Sequence, residues 1–173
     1  MGYRYGMHVV PDITLATAQD AADIAAMSRD FIEQGLGWSW TVARVLRAIK
    51  DRASNVAIAR AGQLEAFGIM HYGDDAAHLA LLAVRPASRR KGLATQIVGW
   101  LELSARVAGL EHIRLELRSD NPQALAFYTG LGFTQIARVS GYYQGAIDAL
   151  QLEKRLSSQL PPAGGGSAII KPA

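Results

Sequence analysis

One stretch of the sequence joins a strand, a basic turn and a helix start in an order that suits an anionic ligand. Apolar residues 81–84 lead into Arg89-Arg90-Lys91-Gly92-Leu93-Ala94, which carries its cations to the start of a helix. Backbone N–H groups at a helix start bind anions, and Gly92 lets a phosphate approach closely. The predicted chemistry is pyrophosphate binding. A solvated basic turn that caps the helix is the alternative.

The better-known phosphate motifs do not match this turn. A P-loop would end in Gly-Lys-Ser or Gly-Lys-Thr, and a dinucleotide fingerprint would need three glycines where Gly92 stands alone. The turn is therefore a phosphate-site candidate of another type.

Two further side chains have acid–base chemistry. Glu116 lies in the apolar strand Ile113 to Leu117, and strand alternation places its carboxylate on the face opposite the apolar residues. Tyr128 lies on an amphipathic helix and, with a reference pKa near ~10, keeps its proton at neutral pH. Each has a structural alternative. Glu116 could pair with Arg114 or Arg118, and Tyr128 could be a partly buried core residue.

Three spaced segments form a pattern that none of them would establish alone. The first is the basic turn, which fits an Arg/Gln-x-x-Gly-x-Gly/Ala signature between the fourth strand and the third helix. The second, Ile113 to Phe133, holds a strand, an Asn-containing turn, a helix with a tyrosine and a Gly-Phe ending. The third is Gly141-Tyr142-Tyr143 followed by Asp148-Ala149-Leu150. Over nearly all of Asp12 to Leu156 the chain resembles the GNAT acyltransferase superfamily, notably the bacterial ribosomal-protein-alanine type of peptide N-terminal acetyltransferase.

The resemblance implies a fold that binds acetyl-CoA and a mechanism in which an amine attacks the thioester directly. The pantetheine arm would pair with the backbone of the fourth strand, as a strand-like ligand does. The pyrophosphate would lie on the amides of the basic turn. Asn121 would contact the pantetheine region and also cap the helix before Pro122. The residues implied for acetyl-CoA are Leu82, Ala83, Val84, Arg89, Arg90, Lys91, Gly92, Leu93, Ala94, Thr95, Asn121 and Tyr128.

The resemblance also implies roles at the reacting end. Glu116 matches the glutamate that acts as base through a water molecule, and Tyr128 matches the tyrosine that protonates the leaving thiolate. Tyr142 and Tyr143 match residues that hold the acceptor backbone, with aromatic packing at a hairpin as the alternative. One position departs from the pattern, because the family often has Glu before Asp-Ala and this chain has Ile147.

The expected activity is an acetyl-CoA-dependent N-acetyltransferase whose acceptor is a protein or peptide N-terminal α-amine. A small amine (a polyamine, an amino acid or an antibiotic) is the alternative acceptor and would need a carboxylate-lined pocket, for which the first two helices offer Asp30 and Glu33. A non-catalytic acyl-CoA-binding module is a further alternative. Nucleic acid is not an expected partner, because the basic residues are few and lack interleaved aromatics.

The elements that position these residues follow from hydrophobic periodicity and turn residues. The predicted order is β-α-α-β-β-β-α-β-α-β-β, an α/β protein (α+β mixed sheet) with helices on both faces and the GNAT acyl-CoA N-acyltransferase fold. The first helix follows a cap at Thr17 and Asp20 and continues through Ile32. The other predicted helices are 38–49, 92–108 and 122–131, and the strands are 13–16, 55–60, 64–72, 77–84, 113–117, 133–139 and 149–156.

A single domain, residues 12–156, is expected between a flexible N-terminal segment, 1–11, and a flexible Pro/Gly-rich tail, 157–173. Met7 is an alternative start to Met1. No signal peptide or membrane-spanning segment is recognised, so a cytoplasmic monomer or homodimer without a membrane partner is expected.

Composition excludes several classes of protein. Of the 173 residues, 50% are hydrophobic and 19% are charged, which excludes a disordered chain. The absence of cysteine excludes a disulfide framework and a thiolate nucleophile. A net charge of +3 suits an anionic ligand. No metal is expected, since His71 and His78 flank a turn without a third ligand. Trp38 and Trp40 are predicted as core residues, with the acceptor pocket as the alternative.

Overall fold

The computed structural model describes residues 11–157, so the predicted flexible segments lie outside it except for one residue each. The predicted order of strands and helices is confirmed, and two short 3-10 helices, Ala18–Asp20 and Pro86–Ser88, are added to it. The strands are β1 (Ile13–Leu15), β2 (Ser54–Ala61), β3 (Gln63–Tyr72), β4 (Ala77–Val84), β5 (His112–Arg118), β6 (Thr134–Tyr143) and β7 (Ile147–Arg155). The helices are α1 (Ala21–Phe31), α2 (Val42–Lys50), α3 (Leu93–Val107) and α4 (Pro122–Gly130).

The strands form one seven-stranded sheet in the order β1-β2-β3-β4-β5-β7-β6. Neighbouring strands are antiparallel except for β4 and β5, which are parallel. The sheet is therefore mixed, as predicted.

The parallel pair is short, and its two strands then diverge. Only Ala77 and His78 of β4 pair with β5, opposite Ile113 and Arg114, although both strands continue beyond this point. A register shift against β3 leaves Ala80 as an extra residue in β4, and such a bulge bends its strand. We call the opening between residues 79–84 of β4 and 115–118 of β5 the fork. Among residues 11–157, no strand pairs with the inner side of either strand within the fork.

Helices cover both faces of the sheet, as predicted. Helices α1 and α2 pack on one face around Ile24, Val45 and Phe67, all fully buried. Helices α3 and α4 pack on the other face, where Ile97 and Leu115 belong to the larger core. Each face therefore has its own apolar core, and the fork opens in the layer between them.

The close seat of α3 on the sheet depends on a glycine in β3. A methyl group at Gly68 would lie 2.7 Å from Ile97 Cγ2 and 3.0 Å from Leu101 Cδ1. Real side-chain contacts are longer than this. The absence of a side chain at Gly68 therefore lets α3 approach β3.

Two predicted element boundaries are wrong in ways that matter for the site. The second helix begins at Val42 rather than Trp38, because Thr41 caps it and accepts a hydrogen bond from Arg44 N (3.4 Å). Residues 38–41 are thus a loop. Strand β6 extends to Tyr143 rather than ending at Val139, so the predicted acceptor tyrosines lie in a strand.

No helix within residues 11–157 combines the length and the apolar content required to cross a bilayer.

Candidate active site

A cleft of about 580 Å³ opens at the fork. Strands β4 and β5 line it centrally, and the α1–α2 loop, the start of α4 and the end of β6 contribute its other walls. Six of the predicted site residues line this cleft: Leu82, Glu116, Asn121, Tyr128, Tyr142 and Tyr143.

The other predicted acetyl-CoA residues, Ala83, Val84 and 89–95, do not line the cleft. They lie at the carboxyl end of β4, in the connection to α3 and in the first turn of α3. The predicted site therefore consists of a cleft and a separate turn, which β4 joins.

Glu116 extends from β5 into the cleft. Its neighbours Leu115 and Leu117 point to the opposite face and join the core under α3 and α4. The alternative ion pairs of Glu116 are not formed. Arg114 Nε lies 2.7 Å from Glu153 Oε2, and Arg118 pairs with Asp120 at 2.9 Å. The Glu116 carboxylate therefore pairs with a residue that the sequence does not indicate.

That partner is His78, whose Nε2 lies 2.5 Å from Glu116 Oε2. His78 is the last residue of β4 that pairs with β5, and Glu116 stands two residues beyond its register partner Arg114. The imidazole therefore crosses the closed end of the fork. In the sequence, His78 stands out only as a potential metal ligand beside a turn. Among the described residues, no group of three or more His, Cys, Asp or Glu could hold a metal ion.

Tyr128 belongs both to the core and to the cleft. Its ring makes edge-on contacts with Phe127 and Phe133, at centroid distances of 5.1 and 5.5 Å. Burial raises the pKa of the Tyr128 hydroxyl, so it retains its proton throughout the physiological range. The side chain can therefore donate a proton or a hydrogen bond but does not act as a base.

Asn121 also combines a structural role with a place in the cleft. Its side-chain oxygen accepts a hydrogen bond from Ala124 N (3.1 Å) and caps α4, with Pro122 following in the first turn. The predicted cap is confirmed.

Tyr142 and Tyr143 line the cleft from the end of β6. Their rings meet edge to face with centroids 5.0 Å apart, and 51% of Tyr142 remains exposed. Burial, assisted by the nearby Tyr142 and the Glu116 carboxylate, raises the pKa of Tyr143 to about 12. The hairpin behind them is fixed by Asp148, which accepts hydrogen bonds from Gly141 N (3.0 Å) and from Arg138 Nε (2.8 Å).

Glu33 reaches the cleft, but its carboxylate is fully used by the loop that it holds. One oxygen accepts from the backbone N (2.9 Å) and the hydroxyl (2.5 Å) of Ser39, and the other from Ser28 Oγ (3.1 Å) and Trp40 N (3.2 Å). Burial alone would raise the pKa of Glu33, but these hydrogen bonds outweigh it and lower the pKa. Asp30 is exposed and pairs with Arg29 at 2.8 Å. Neither carboxylate is free to bind a cationic acceptor.

The two tryptophans differ. Trp40 is buried in the core and lines the cleft, where it stacks on His71 with a centroid distance of 6.1 Å. The Arg44 guanidinium lies 4.0 Å from the Trp40 ring centroid. Trp38 is 43% exposed, with the Arg29 guanidinium 5.7 Å from its ring centroid. The core prediction is therefore confirmed for Trp40 and wrong for Trp38.

The basic turn has the geometry of an anion site. Arg90 and Gly92 both adopt positive φ, 61° and 80°, and α3 begins directly afterwards at Leu93. The first amides of an α-helix have no acceptor within the helix. Arg89 Nε donates to the carbonyl of Val84 (3.2 Å), whereas the exposed Arg90 and Lys91 form no ion pair within residues 11–157.

Comparisons with known proteins agree with this architecture. Residues 24–133 match the Acetyltransferase (GNAT) family. The catalytic subunit naa20 of the N-terminal acetyltransferase B complex of Schizosaccharomyces pombe is 34% identical over 84 residues, which cover 46% of this chain and 47% of that protein. The [Ribosomal protein bS18]-alanine N-acetyltransferase of Escherichia coli is 31% identical over 103 residues, which cover 58% of this chain and 70% of that protein.

The chain spans about half the length of the NAA20-type relatives that it matches. Among solved structures, Ard1 from Thermoplasma volcanium superposes with a TM-score of 0.75 at 23% identity, covering 86% of this chain and 99% of that one. At this level of identity the likeness concerns the fold.

Proposed function

The chain belongs to the GNAT acetyltransferase family, and from that premise we propose that it transfers acetyl from acetyl-CoA to the α-amine of a protein or peptide N-terminus. The observation that carries this proposal is the cleft at the fork, which Glu116, Tyr128 and the two β6 tyrosines line together. A base, an acid and an acceptor wall would then surround one reacting centre.

Acetyl-CoA would lie along β4. The fork leaves the backbone of residues 79–84 without a partner on the β5 side, and an extended pantetheine arm can take the place of the missing strand. Leu82, Ala83 and Val84 would supply this pairing. The pyrophosphate would lie on the amides at the start of α3, beside Arg90 and Lys91.

The chemical step needs no acyl-enzyme. Glu116 would take a proton from the acceptor ammonium through a water molecule, and the neutral amine would attack the thioester carbonyl. Backbone N–H groups of β4 would polarise that carbonyl. The tetrahedral intermediate would then lose its C–S bond while Tyr128 protonates the departing thiolate, and the second proton lost by the attacking nitrogen would restore the Tyr128 hydroxyl. The products are an N-acetylated chain, the CoA thiol and one proton.

An N-terminal peptide fits the acceptor side better than a small cationic amine does. The Glu33 carboxylate is used by Ser28, Ser39 and Trp40, and Arg44 adds a positive charge to the cleft wall. A polyamine would find little to bind there. The relatives described above carry the names of peptide N-terminal enzymes, which supports the same acceptor.

The test is release of the CoA thiol from acetyl-CoA, with a panel of N-terminal peptides beside polyamines, amino acids and aminoglycosides. We expect turnover with free α-amino peptides and none with the same peptides blocked by N-formylation. Turnover confined to small amines would overturn the acceptor. Acetyl-CoA binding without thiol release from any acceptor would favour a non-catalytic binding module.

The remaining expectations about the whole protein are also proposals. Residues 12–156 would form a single domain, and the protein would act in the cytoplasm as a monomer or homodimer. Size-exclusion chromatography with light scattering would determine the oligomeric state.

A further inference from the structure

The contact between His78 and Glu116 joins two strands at the one place where they separate. His78 Nε2 and Glu116 Oε2 are 2.5 Å apart, and the side chains are 44% and 20% exposed, respectively. The carboxylate is thus the more sheltered partner, and the imidazole keeps contact with solvent.

The two arginines near this pair are bound to other acceptors, so His78 remains the partner of Glu116. Arg114 is held by Glu153, and Arg118 by Asp120 and by the carbonyl of Gln34. Tyr142 and Tyr143 face Glu116 from β6, and the pKa of each is raised. Tyrosines that keep their protons do not neutralise a carboxylate.

On the β3 side, His71 is the cross-strand partner of His78. Burial and the proximity of His78 lower the pKa of His71, which disfavours a positive charge on it. Its Nδ1 lies 2.6 Å from Ser54 Oγ, so that nitrogen is directed away from Glu116. Among the described residues, His78 is the one side chain with a hydrogen bond to the Glu116 carboxylate.

A carboxylate that takes a proton in every turnover must lose it before the next. An imidazole can accept a proton at one nitrogen and release a different one from the other. Nε2 of His78 faces Glu116, and the exposed remainder of the ring reaches water. The pair therefore has the components of a path from the sheltered carboxylate to solvent.

We propose that His78 is a positioning residue, which holds Glu116 toward the reacting amine and passes on the proton that Glu116 removes. This inference rests on the proposed acetyl transfer. With the ring proton on Nδ1, Glu116 takes one proton from the ammonium, the protonated carboxyl gives it to the bare Nε2, and Nδ1 releases its proton to water. The resulting Nε2–H donates to the regenerated carboxylate and holds it. Proton exchange with solvent then restores the starting tautomer. The carboxylate is regenerated, and no other bond is made or broken.

The competing explanation is that His78 only bridges the two strands of the fork and transfers no proton. The variant His78→Gln distinguishes these two explanations. A glutamine amide can still donate to the carboxylate and bridge the strands, but it cannot take up a proton. His78→Ala removes both the bridge and the proton path, and it leaves space that imidazole from solution can enter.

The matched control is His112→Gln. His112 is a second histidine beside a glutamate, with Nδ1 3.3 Å from Glu153 Oε1, and it lies outside the cleft lining. All variants are compared with the wild type for kcat, for KM of the peptide, for acetyl-CoA affinity by calorimetry and for melting temperature.

We expect His78→Gln to lower kcat by about 10- to 100-fold while acetyl-CoA affinity and melting temperature stay at wild-type values. We expect added imidazole to restore part of the lost kcat in His78→Ala, and His112→Gln to match the wild type. His78→Gln at the wild-type rate, or His78→Ala without rescue, would overturn the inference while acetyl transfer by the wild type stands. An inactive wild type would instead remove the proposed function and this inference with it.

Discussion

Tyr128 has two roles: its ring packs in the core, and its hydroxyl is the proposed acid in the cleft. Its ring contributes to the core between Phe127 and Phe133, and its hydroxyl retains its proton because burial raises the pKa. Tyr128→Phe keeps the ring and removes only the hydroxyl. We expect kcat to fall by about 100-fold or more, with unchanged acetyl-CoA affinity, as measured by thiol release and calorimetry.

Tyr72→Phe is the matched control for that substitution. Tyr72 is also largely buried, its pKa is raised to about 12, and its hydroxyl accepts a hydrogen bond from Asn55 Nδ2 (2.7 Å) outside the cleft. We expect a loss of about 1 kcal/mol of stability and full activity. Equal losses of kcat in both variants would contradict the acid role of Tyr128.

Glu33 makes the stability of its loop depend on pH. The folded state lowers the pKa of Glu33 below its ordinary value of 4.5, because the ionised form accepts hydrogen bonds from Ser28, Ser39 and Trp40. A lowered folded pKa gives stability that is fully present above the unfolded pKa and is lost as the pH falls through the folded pKa. We expect Glu33→Gln to cost about 1–3 kcal/mol at pH 7, and the difference from wild type to shrink below about pH 4.

Urea unfolding at several pH values measures this difference. Asp30→Asn serves as control, because Asp30 is exposed and its one ion pair within residues 11–157 is with its neighbour Arg29. A constant gap between wild type and Glu33→Gln from pH 7 to pH 3 would show that the carboxylate charge does not hold the loop.

At the scale of elements, the fork determines where the donor would bind. Residues 79–84 of β4 lack strand partners on the β5 side, so pairing with pantetheine would bury and bond their amides. We expect hydrogen exchange in these residues to slow by about 10-fold or more when acetyl-CoA is added, as followed by mass spectrometry or NMR. Residues 57–59 of β2 pair on both sides and serve as the internal reference. Equal protection of both segments would indicate a general tightening instead.

The seat of α3 on β3 can be tested with a pair of glycines. A methyl group at Gly68 would press on Ile97 and Leu101, whereas at Gly99, within α3, nothing lies within 4 Å of the added methyl. We expect Gly68→Ala to destabilise the fold by about 1–3 kcal/mol and Gly99→Ala to stabilise it by about 0.5–1 kcal/mol. Denaturant unfolding gives both values, and the same sign for both would contradict close packing at Gly68.

The elements themselves were largely predictable, and the contact between His78 and Glu116 was not. Hydrophobic periodicity and turn residues are local signals, and they predicted the order of strands and helices. The bulge at Ala80 and the short parallel register depend on contacts between distant segments. That register determines which β4 side chain meets Glu116. Alternation in β5 predicted the face of Glu116 but not its partner on that face.

The predicted start of the second helix is wrong because side-chain hydrogen bonds override local propensity. The prediction extends the second helix back to Trp38, but the Glu33 carboxylate binds the amides of Ser39 and Trp40 and holds that stretch as a loop. Such a hydrogen bond from a residue six or seven positions earlier leaves no periodic trace in the sequence.

At the scale of the whole molecule, the fork divides the sheet into two parts joined by one short parallel pairing. Strands β1 to β4 lie on one side, and β5, β7 and β6 lie on the other. A ligand that pairs within the fork binds the folded protein only, so it stabilises the entire chain. We expect a stabilisation of about 2.7 kcal/mol when the acetyl-CoA concentration is 100 times its Kd.

Thermal unfolding with and without the ligand measures this stabilisation. Adenosine diphosphate has the pyrophosphate but lacks the pantetheine arm, and it is the matched control ligand. An equal shift from both ligands at the same concentration would show that the fork contributes nothing to binding.

The fork affects how the proposed activity would respond to the supply of acetyl-CoA. The parts of the donor that it and the basic turn would hold, the pantetheine arm and the pyrophosphate, are common to acetyl-CoA and to spent CoA. The acetyl group adds only a few atoms to that shared contact. Product would therefore compete with substrate on nearly equal terms, and the rate of the proposed acetylation would follow the ratio of acetyl-CoA to free CoA.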